Sequence, residues 1–269
     1  MVYGHNNEIM SGGRFDFGEN WSRFLTILND ERIGLAEQSL CEMLGVVDLK
    51  GKRFLDAGSG SGLFSLAARR MGAEVHSFDY DPLSVACTRE LKNRYFPKDE
   101  TWVIEEASVL DEDYLSKLGQ FDVVYSWGVL HHTGSMWDAL KNVVPLVTKN
   151  GQLFVSIYND QSWISLYWRF VKKCYVSNAI LRGLMLLIHF PYLFGLRFLV
   201  RAVTGRLDFE RGMSLWYDMF DWIGGYPFEV AKPEEIFNFY HDKGFDLINL
   251  ITCGGRHGCN EFVFVRKIS

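Results

Sequence analysis

The sequence predicts an α/β protein whose mainly parallel sheet carries helices on both faces. Three observations predict it. Short apolar runs alternate with helix-period segments from Arg53 to Tyr158. A glycine-rich run, Asp56-Ala57-Gly58-Ser59-Gly60-Ser61-Gly62, joins the first apolar run to the first helical segment. An acidic residue, Asp79, ends the second apolar run. Length and composition agree: 269 residues, 48% hydrophobic and 15% aromatic, are too apolar for a disordered chain and enough for one large domain with additions.

Taken in order, residues 17–45 read as helical, with Trp21, Phe24, Leu25 and Leu28, then Leu40, Met43 and Leu44, at helical spacing. Arg53–Ala57 is the first strand, and the glycine-rich turn leads into a helix over Leu63–Met71. Glu74–Phe78 is the second strand. Asp81-Pro82 starts a helix, with Asp as cap and Pro at the first helical position, and it runs to Arg94. Thr101–Glu105 and Phe121–Ser126 are the third and fourth strands. Trp137–Val147 is a helix, and the Asn150-Gly151 turn opens a fifth strand to Tyr158. After an interruption, Pro233–Asp242 is a helix stopped by Gly244, and strands Leu247–Thr252 and Glu261–Val265 complete a seven-stranded sheet. The implied organisation is a helical N-terminal cap (1–50), a ligand-binding core (51–160), a helical insertion that covers the substrate (161–225), and a closing helix with the last two strands (226–269).

The interruption has a distinct composition. Residues 161–207 hold seven Arg or Lys, nine aromatics and no Asp or Glu, so the net −5 of the whole chain hides −12 on the remainder. Two or more helices are expected there. In the first, Trp163, Leu166, Tyr167, Phe170, Val171, Cys174 and Tyr175 form an apolar stripe, with Arg169, Lys172 and Lys173 off it. Ile180–Val203 follows, more hydrophobic and broken by Pro191. Three uses compete: a cap roofing the site, a pair of helices lying in a membrane interface, and a dimer contact. The apolar run between Arg182 and Arg197 is too short to span a bilayer. Five scattered cysteines without a CxxC pair, and no basic-then-apolar N-terminal leader, point to a reducing cytoplasm. No clustered ligand set calls for a metal. The acidic remainder argues against nucleic acid, whose binding rests on phosphate contacts.

The glycine-rich run carries the chemistry. Glycines at a strand's carboxyl end let the backbone approach a ligand, and in open parallel sheets ligands bind at that edge. Asp79, at the next strand end, is placed to accept ribose hydroxyls. A dinucleotide would ask for G-x-G-x-x-G, but Leu63 stands at the third glycine position. The pattern D-x-G-x-G-x-G fits throughout, and the carboxylate of Asp56 suits an ammonium rather than a pyrophosphate. S-adenosylmethionine, which has an ammonium and no phosphate, is the better ligand.

The runs FLDAGSGSG, VHSFDYDP, FDVVYSWGVLHH and KPEEIFNFYHDKGF together resemble the Rossmann-like class I S-adenosylmethionine-dependent methyltransferases, and among them the ubiquinone-biosynthesis O-methyltransferases. The resemblance covers residues 50–160 and 226–269. It implies that the last strand is antiparallel and that Asp56, Gly58, Ser59, Gly60 and Gly62 line the methionine and ribose side of the cofactor. It further implies that Asp79 takes the ribose hydroxyls, Tyr80 flanks the adenine, Ser108 and Val109 contact it, and Trp127 and Gly128 pass beside the methionine. Ser108 stands where the family often has Asp.

Methyl transfer asks a protein mainly for alignment and exclusion of water. A hydroxyl acceptor also benefits from a base. His131 and His132 follow the fourth strand at the ligand edge and are the candidates, with Tyr158 and Asp160 as further ones. The alternative for the histidines is a loop-orienting role. The run Phe15–Trp21 is either a lid over the cofactor or one helix packed on the sheet. Asp221–Glu229 is either a substrate wall or a return loop. The expectation is a cytoplasmic or membrane-peripheral methyltransferase for a small-molecule or lipid-linked acceptor, most often a hydroxyl, with no nucleic-acid partner. The alternative is a membrane-peripheral, cofactor-binding scaffold that transfers nothing.

Overall fold

The structure is a computed structural model, and it describes residues 2–196, 220, 222–255 and 258–267. Seven strands form one sheet in the order β3-β2-β1-β4-β5-β7-β6. They are β1 (Arg53–Ala57), β2 (Glu74–Asp79), β3 (Trp102–Glu106), β4 (Phe121–Trp127), β5 (Val147–Tyr158), β6 (Phe245–Ile251) and β7 (Cys259–Arg266). β1 to β5 run parallel, whereas β7 pairs antiparallel with both β5 and β6. The chain leaves β1 toward β2 on one side and returns to β4 on the other. The carboxyl ends of β1 and β4 therefore flank a switch point, the place where such sheets leave a crevice for ligands.

Ten α-helices with both ends described dress this sheet. α1 (Val2–Met10) lies within the 1–50 segment expected to be a helical cap, ahead of the helical spacing that begins at residue 17; its own run has no apolar period. The predicted segment 17–45 is two helices, α2 (Phe17–Phe24) and α3 (Asp30–Leu44). Asp16 caps α2 and Asn29 caps α3, accepting the backbone N–H of Glu19 and Arg32 in the first turn of each helix. α4 (Leu63–Arg70), α5 (Pro82–Tyr95), α6 (Glu112–Leu115) and α7 (Met136–Asn142) follow in the core, then α8 (Trp163–Ser177), α9 (Ala179–Phe190) and α10 (Pro233–His241). One face of the sheet packs Phe54, Val75, Tyr125 and Phe154 against Ile33, Leu40, Leu66 and Leu91 of α3, α4 and α5. The other packs Leu55, Val124 and Phe264 against Leu140 of α7 and Ile236 and Tyr240 of α10. Both faces are covered, which is why the parallel strands read as continuous apolar runs.

A third cluster lies over the strand ends. α8 and α9 form it with Ile223 and Phe228. Here the predicted stripe is corrected. The buried residues of α8 are Ser165, Trp168, Val171, Lys172, Tyr175 and Val176, while Trp163 is 73% exposed and Leu166 and Phe170 are 63% exposed. The helix is apolar around most of its circumference, so period alone does not choose a face. Lys172 goes inside because its ammonium finds a built site: it donates to the Trp222 carbonyl and lies 4.6 to 5.7 Å from the ring centroids of Trp222, Phe228 and Tyr158. The expected continuation through Val203, Arg197, Arg201 and Arg206, and Asp221 in the return segment, lie outside the described residues. Among the described residues no helix is long and apolar enough to cross a membrane.

α2 meets α5 at glycine. A Cβ on Gly18 would lie 2.4 Å from Asp81 Oδ2 and from Leu83 Cβ. Gly34, inside α3, has nothing within 4 Å of the same position. Gly18→Ala is expected to cost about 1–3 kcal/mol through overpacking, whereas Gly34→Ala gains roughly 0.5–1 kcal/mol from chain entropy. Urea unfolding of the two variants checks the opposite signs.

Candidate active site

A cavity of about 340 Å³ opens at the switch point. Its floor is the glycine-rich turn between β1 and α4. Gly58, Gly60 and Gly62 all have positive φ, at 88°, 53° and 81°. Space forbids side chains there too: a Cβ on Gly58 would lie 2.3 Å from Val129, and one on Gly62 would lie 2.8 Å from the Thr88 backbone. The turn is pinned by Gly58 and Ser59 N–H groups donating to the Phe78 carbonyl, at 2.8 and 3.1 Å, and by a 2.9 Å bond between the Ser59 and Thr88 hydroxyls. Gly62 in the left-handed region then starts α4 without a side-chain cap.

Two carboxyl groups are sunk in this floor. Asp56 is 1% exposed and accepts from the Ser65 hydroxyl at 2.5 Å. Ser65 in turn bonds Ser77, which accepts from the Trp102 indole at 2.9 Å. Asp79 accepts from the Gly60 N–H at 2.8 Å and the Asp81 N–H at 2.9 Å. Burial pushes Asp56 up to about 7, helped by the nearby charge of Asp79. Burial also pushes Asp79 up to about 6, against the pull of its two backbone N–H bonds. Neither has an ion-pair partner among the described residues. A pair of desolvated acids at a glycine cradle is ready for a ligand cation.

The remaining predicted positions fall around the same space. Tyr80, Ser108, Val109, Trp127 and Gly128 all line the cavity with Asp56, Gly58, Ser59, Gly60 and Asp79. Gly62 is set behind it, shaping the turn. Ser108 Oγ accepts from the Leu110 N–H at 3.1 Å, so part of its polar capacity is spent locally.

The two histidines separate. His132 lines the cavity and His131 does not. Nδ1 of His132 lies 2.6 Å from the Pro227 carbonyl, which can only accept, so Nδ1 carries the proton and Nε2 keeps its lone pair. Burial lowers the His132 pKa to about 3, and the charges of Lys172 and Arg14 push the same way. The ring is therefore neutral across the physiological range. His131 is fully buried, stacks 4.0 Å from the Tyr158 ring, and is held well below its usual pKa by burial and by the charges of His132 and Lys172. Tyr158 and Asp160 do not line the cavity; the Asp160 carboxylate accepts from the Ser162 N–H at 2.8 Å.

The roof comes from the N-terminal segment. Phe15, Phe17 and Trp21 line the cavity, and Trp21 Nε1 lies 3.1 Å from where a Gly60 Cβ would be. Sequence reasoning missed His5, Glu8 and Arg14, which also line it. Arg14 bonds Glu8 at 2.6 Å and the His132 carbonyl at 3.0 Å, and sits 5.0 Å over the Tyr80 ring. Neither period nor motif marks these polar residues; only the aromatic run beside them hinted at a cover. In the return segment, Phe228 and Ile223 pack into the α8–α9 cluster, and Gly224 abuts the Phe15 ring.

The raised pKa values carry a stability consequence. Both acids titrate higher in the folded chain than in the unfolded one, so the folded state binds extra protons between pH 3.8 and about 7. Their contribution to stability is full below that window and is lost as pH rises through it. Asp56→Asn is expected to remove most of the decline, on the order of 2–4 kcal/mol, in urea unfolding followed from pH 4.5 to pH 8. A decline of equal size in the variant contradicts the assignment.

Residues 55–153 match the family pattern described as "Methyltransferase domain". Over 109 residues the chain is 37% identical to the tRNA U34 carboxymethyltransferase of Pseudomonas savastanoi pv. phaseolicola, a match covering 40% of this chain and 33% of the relative. The like-named protein of Methylococcus capsulatus is 32% identical over 109 residues, covering 40% and 32%. The matched part thus spans about a third of the length of these curated relatives. Among solved structures, the magnesium protoporphyrin IX methyltransferase of Synechocystis PCC 6803 with bound S-adenosylhomocysteine superposes with a TM-score of 0.54 at 14% identity, over 93% of this chain and 94% of that one. An O-methyltransferase family protein from Burkholderia thailandensis gives 0.54 at 12% identity, over 88% and 58%.

These matches support the broad class and do not single out the ubiquinone-biosynthesis enzymes. They also overturn one expectation. The small-molecule or lipid-linked acceptor without nucleic acid was argued from net charge, yet these relatives are named for tRNA. Net charge misleads because it is an average: the acid-free stretch 161–207 holds seven cations together, and the −12 of the remainder says nothing of where its acids face. The cradle, the two acids and the strand order agree with the matched pattern: residues 55–153 are similar to a methyltransferase domain, and the chain has the Rossmann-like fold of the methyltransferases it superposes on.

Proposed function

We propose that this chain transfers a methyl group from S-adenosylmethionine to an oxygen of an RNA nucleotide. The observation that carries the reading is that one cavity is lined both by the acid-and-glycine cradle and by a neutral histidine. When bound, S-adenosylmethionine supplies an activated methyl on a positive sulfur. The residues of the chain then do four things. Asp56 lies where a buried carboxylate can meet the ammonium of the amino-acid part, and losing its proton on binding restores a charge pair. Asp79 keeps lone pairs for ribose hydroxyls beyond its two backbone N–H bonds. Phe15, Phe17 and Trp21 exclude water from above. His132 accepts a hydrogen bond from the attacking hydroxyl at Nε2 and orients it, while its Nδ1–H stays fixed on Pro227; the proton leaves to water once the methyl has transferred.

The acceptor class rests on the tRNA named in the relatives and on the acid-free basic stretch 161–207. Incubation of the protein with methyl-labelled S-adenosylmethionine and total tRNA, followed by mass analysis of the released nucleosides, tests it. A nucleoside heavier by one methylene is expected; label found only in protein or lipid contradicts it.

His132→Gln is expected to lower kcat by roughly tenfold, the scale of one orienting hydrogen bond, with S-adenosylhomocysteine affinity unchanged. Because the ring is already neutral, wild-type kcat should show no inflection near pH 6.5. Single-turnover rates from pH 5.5 to pH 8.5 provide the check.

A further inference from the structure

A second cavity, of about 410 Å³, lies beside the first and shares Arg14 and Phe15 with it. Three guanidinium groups from three elements line it: Arg14 before α2, Arg23 on α2 and Arg182 on α9. Its apolar walls are the rings of Phe15, Tyr175 and Phe220. Rings connect it to the catalytic histidine: Tyr175 to Phe15 at 6.1 Å, Phe15 to Phe17 at 4.9 Å, and Phe17 to His132 at 4.9 Å.

The charges in this cavity are unevenly spent. Glu19 pairs with Arg23 at the exposed rim. Asp16 caps α2 through the Glu19 N–H, and burial raises its pKa. Arg14 is committed to Glu8 and to the His132 carbonyl. Arg182 differs. It donates through Nε to the Tyr175 carbonyl at 3.4 Å and lies 5.4 Å over the Tyr175 ring, and it makes no ion pair among the described residues. Of the two carboxylates that line the cavity, Glu19 is spent on Arg23 and Asp16 on the start of α2, so the Arg182 guanidinium, held by a ring and a carbonyl, suits a planar two-point oxyanion. The cavity also has the volume of an ordinary ligand site.

We propose that this second cavity binds a phosphate of the nucleotide acceptor, with Arg182 as its principal anchor and Arg23 at its mouth. The inference rests on the acceptor reading above and adds where that acceptor is held. A phosphate at Arg182 leaves the attached sugar and base to run along Tyr175, Phe15 and Phe17 toward His132. Arg14 stands between the two spaces, touching both the acceptor cavity and the His132 loop.

The test uses the full chain, with two variants, Arg182→Gln and Arg182→Lys, each first shown to melt within the range of the wild type. Three probes are titrated: uridine, uridine monophosphate and a fluorescent uridine-containing RNA hairpin. S-adenosylhomocysteine affinity is measured in parallel. The wild type is expected to bind the monophosphate at least about tenfold more tightly than uridine, the scale of one charge-assisted bond. Arg182→Gln should erase that preference and weaken the hairpin by roughly tenfold, Arg182→Lys should restore part of it, and S-adenosylhomocysteine should bind all three proteins alike. Tighter binding of the hairpin than of the monophosphate, with a steep salt dependence, identifies polynucleotide as the source of the phosphate; equal binding identifies a free nucleotide. Equal affinity for uridine and its monophosphate, no binding of either phosphate probe, or an unchanged preference in Arg182→Gln overturns the proposal. Loss of S-adenosylhomocysteine binding in the wild type sinks the methyltransferase reading instead, and is read separately.

Discussion

Two carboxyl groups held out of water at the ends of β1 and β2 organise this molecule. Asp56 and Asp79 are costly where they stand: desolvation raises both, the charge of Asp79 raises Asp56 further, and that of Asp81 raises Asp79. The protein offsets part of that cost with hydroxyl and backbone donors, from Ser65 to Asp56 and from Gly60 and Asp81 to Asp79. It supplies no side-chain cation among the described residues. In the function proposed above, the missing charge comes with the ligand, and the glycine turn lets that ligand reach the acids.

The same constraint explains the roof. A cation–carboxylate pair is worth most where water is excluded. The N-terminal segment closes the cavity with three aromatic rings, and α2 packs on α5 closely enough that only glycine fits at position 18. Arg14 then links that roof to the loop bearing His132 through the latter's carbonyl. The neutral state of His132 follows from the neighbours that crowd it: burial, the sunken ammonium of Lys172 and the guanidinium of Arg14 all disfavour a second positive charge.

The core was legible in the sequence because its signals are local. β1 starts and ends where its apolar run does, and Asp81-Pro82 marks the start of α5. The residues gathered around the cavity at strand ends are legible for the same reason, since topology alone delivers Asp56, Asp79, Ser108 and Trp127 to one edge. What was not legible depends on tertiary choice. α8 is apolar on several sides, and its burial face was decided by a site for Lys172 that only Trp222, Phe228 and Tyr158, from two other segments, create. Glu8 and Arg14 acquire meaning only across the fold, at Tyr80 and His132. Total charge failed as a guide to the acceptor for a related reason: it averages the acid-free stretch 161–207 with an acidic remainder.

The most direct test of the sunken-acid account is calorimetry of S-adenosylhomocysteine binding at pH 6.5 in buffers of different ionisation enthalpy. Asp56, with a pKa of about 7, is largely protonated in the free protein at that pH. Its proton must leave when the ligand's ammonium arrives. The account predicts a net release of roughly half a proton or more per ligand bound, abolished in Asp56→Asn. Binding with no proton exchange in the wild type would contradict it.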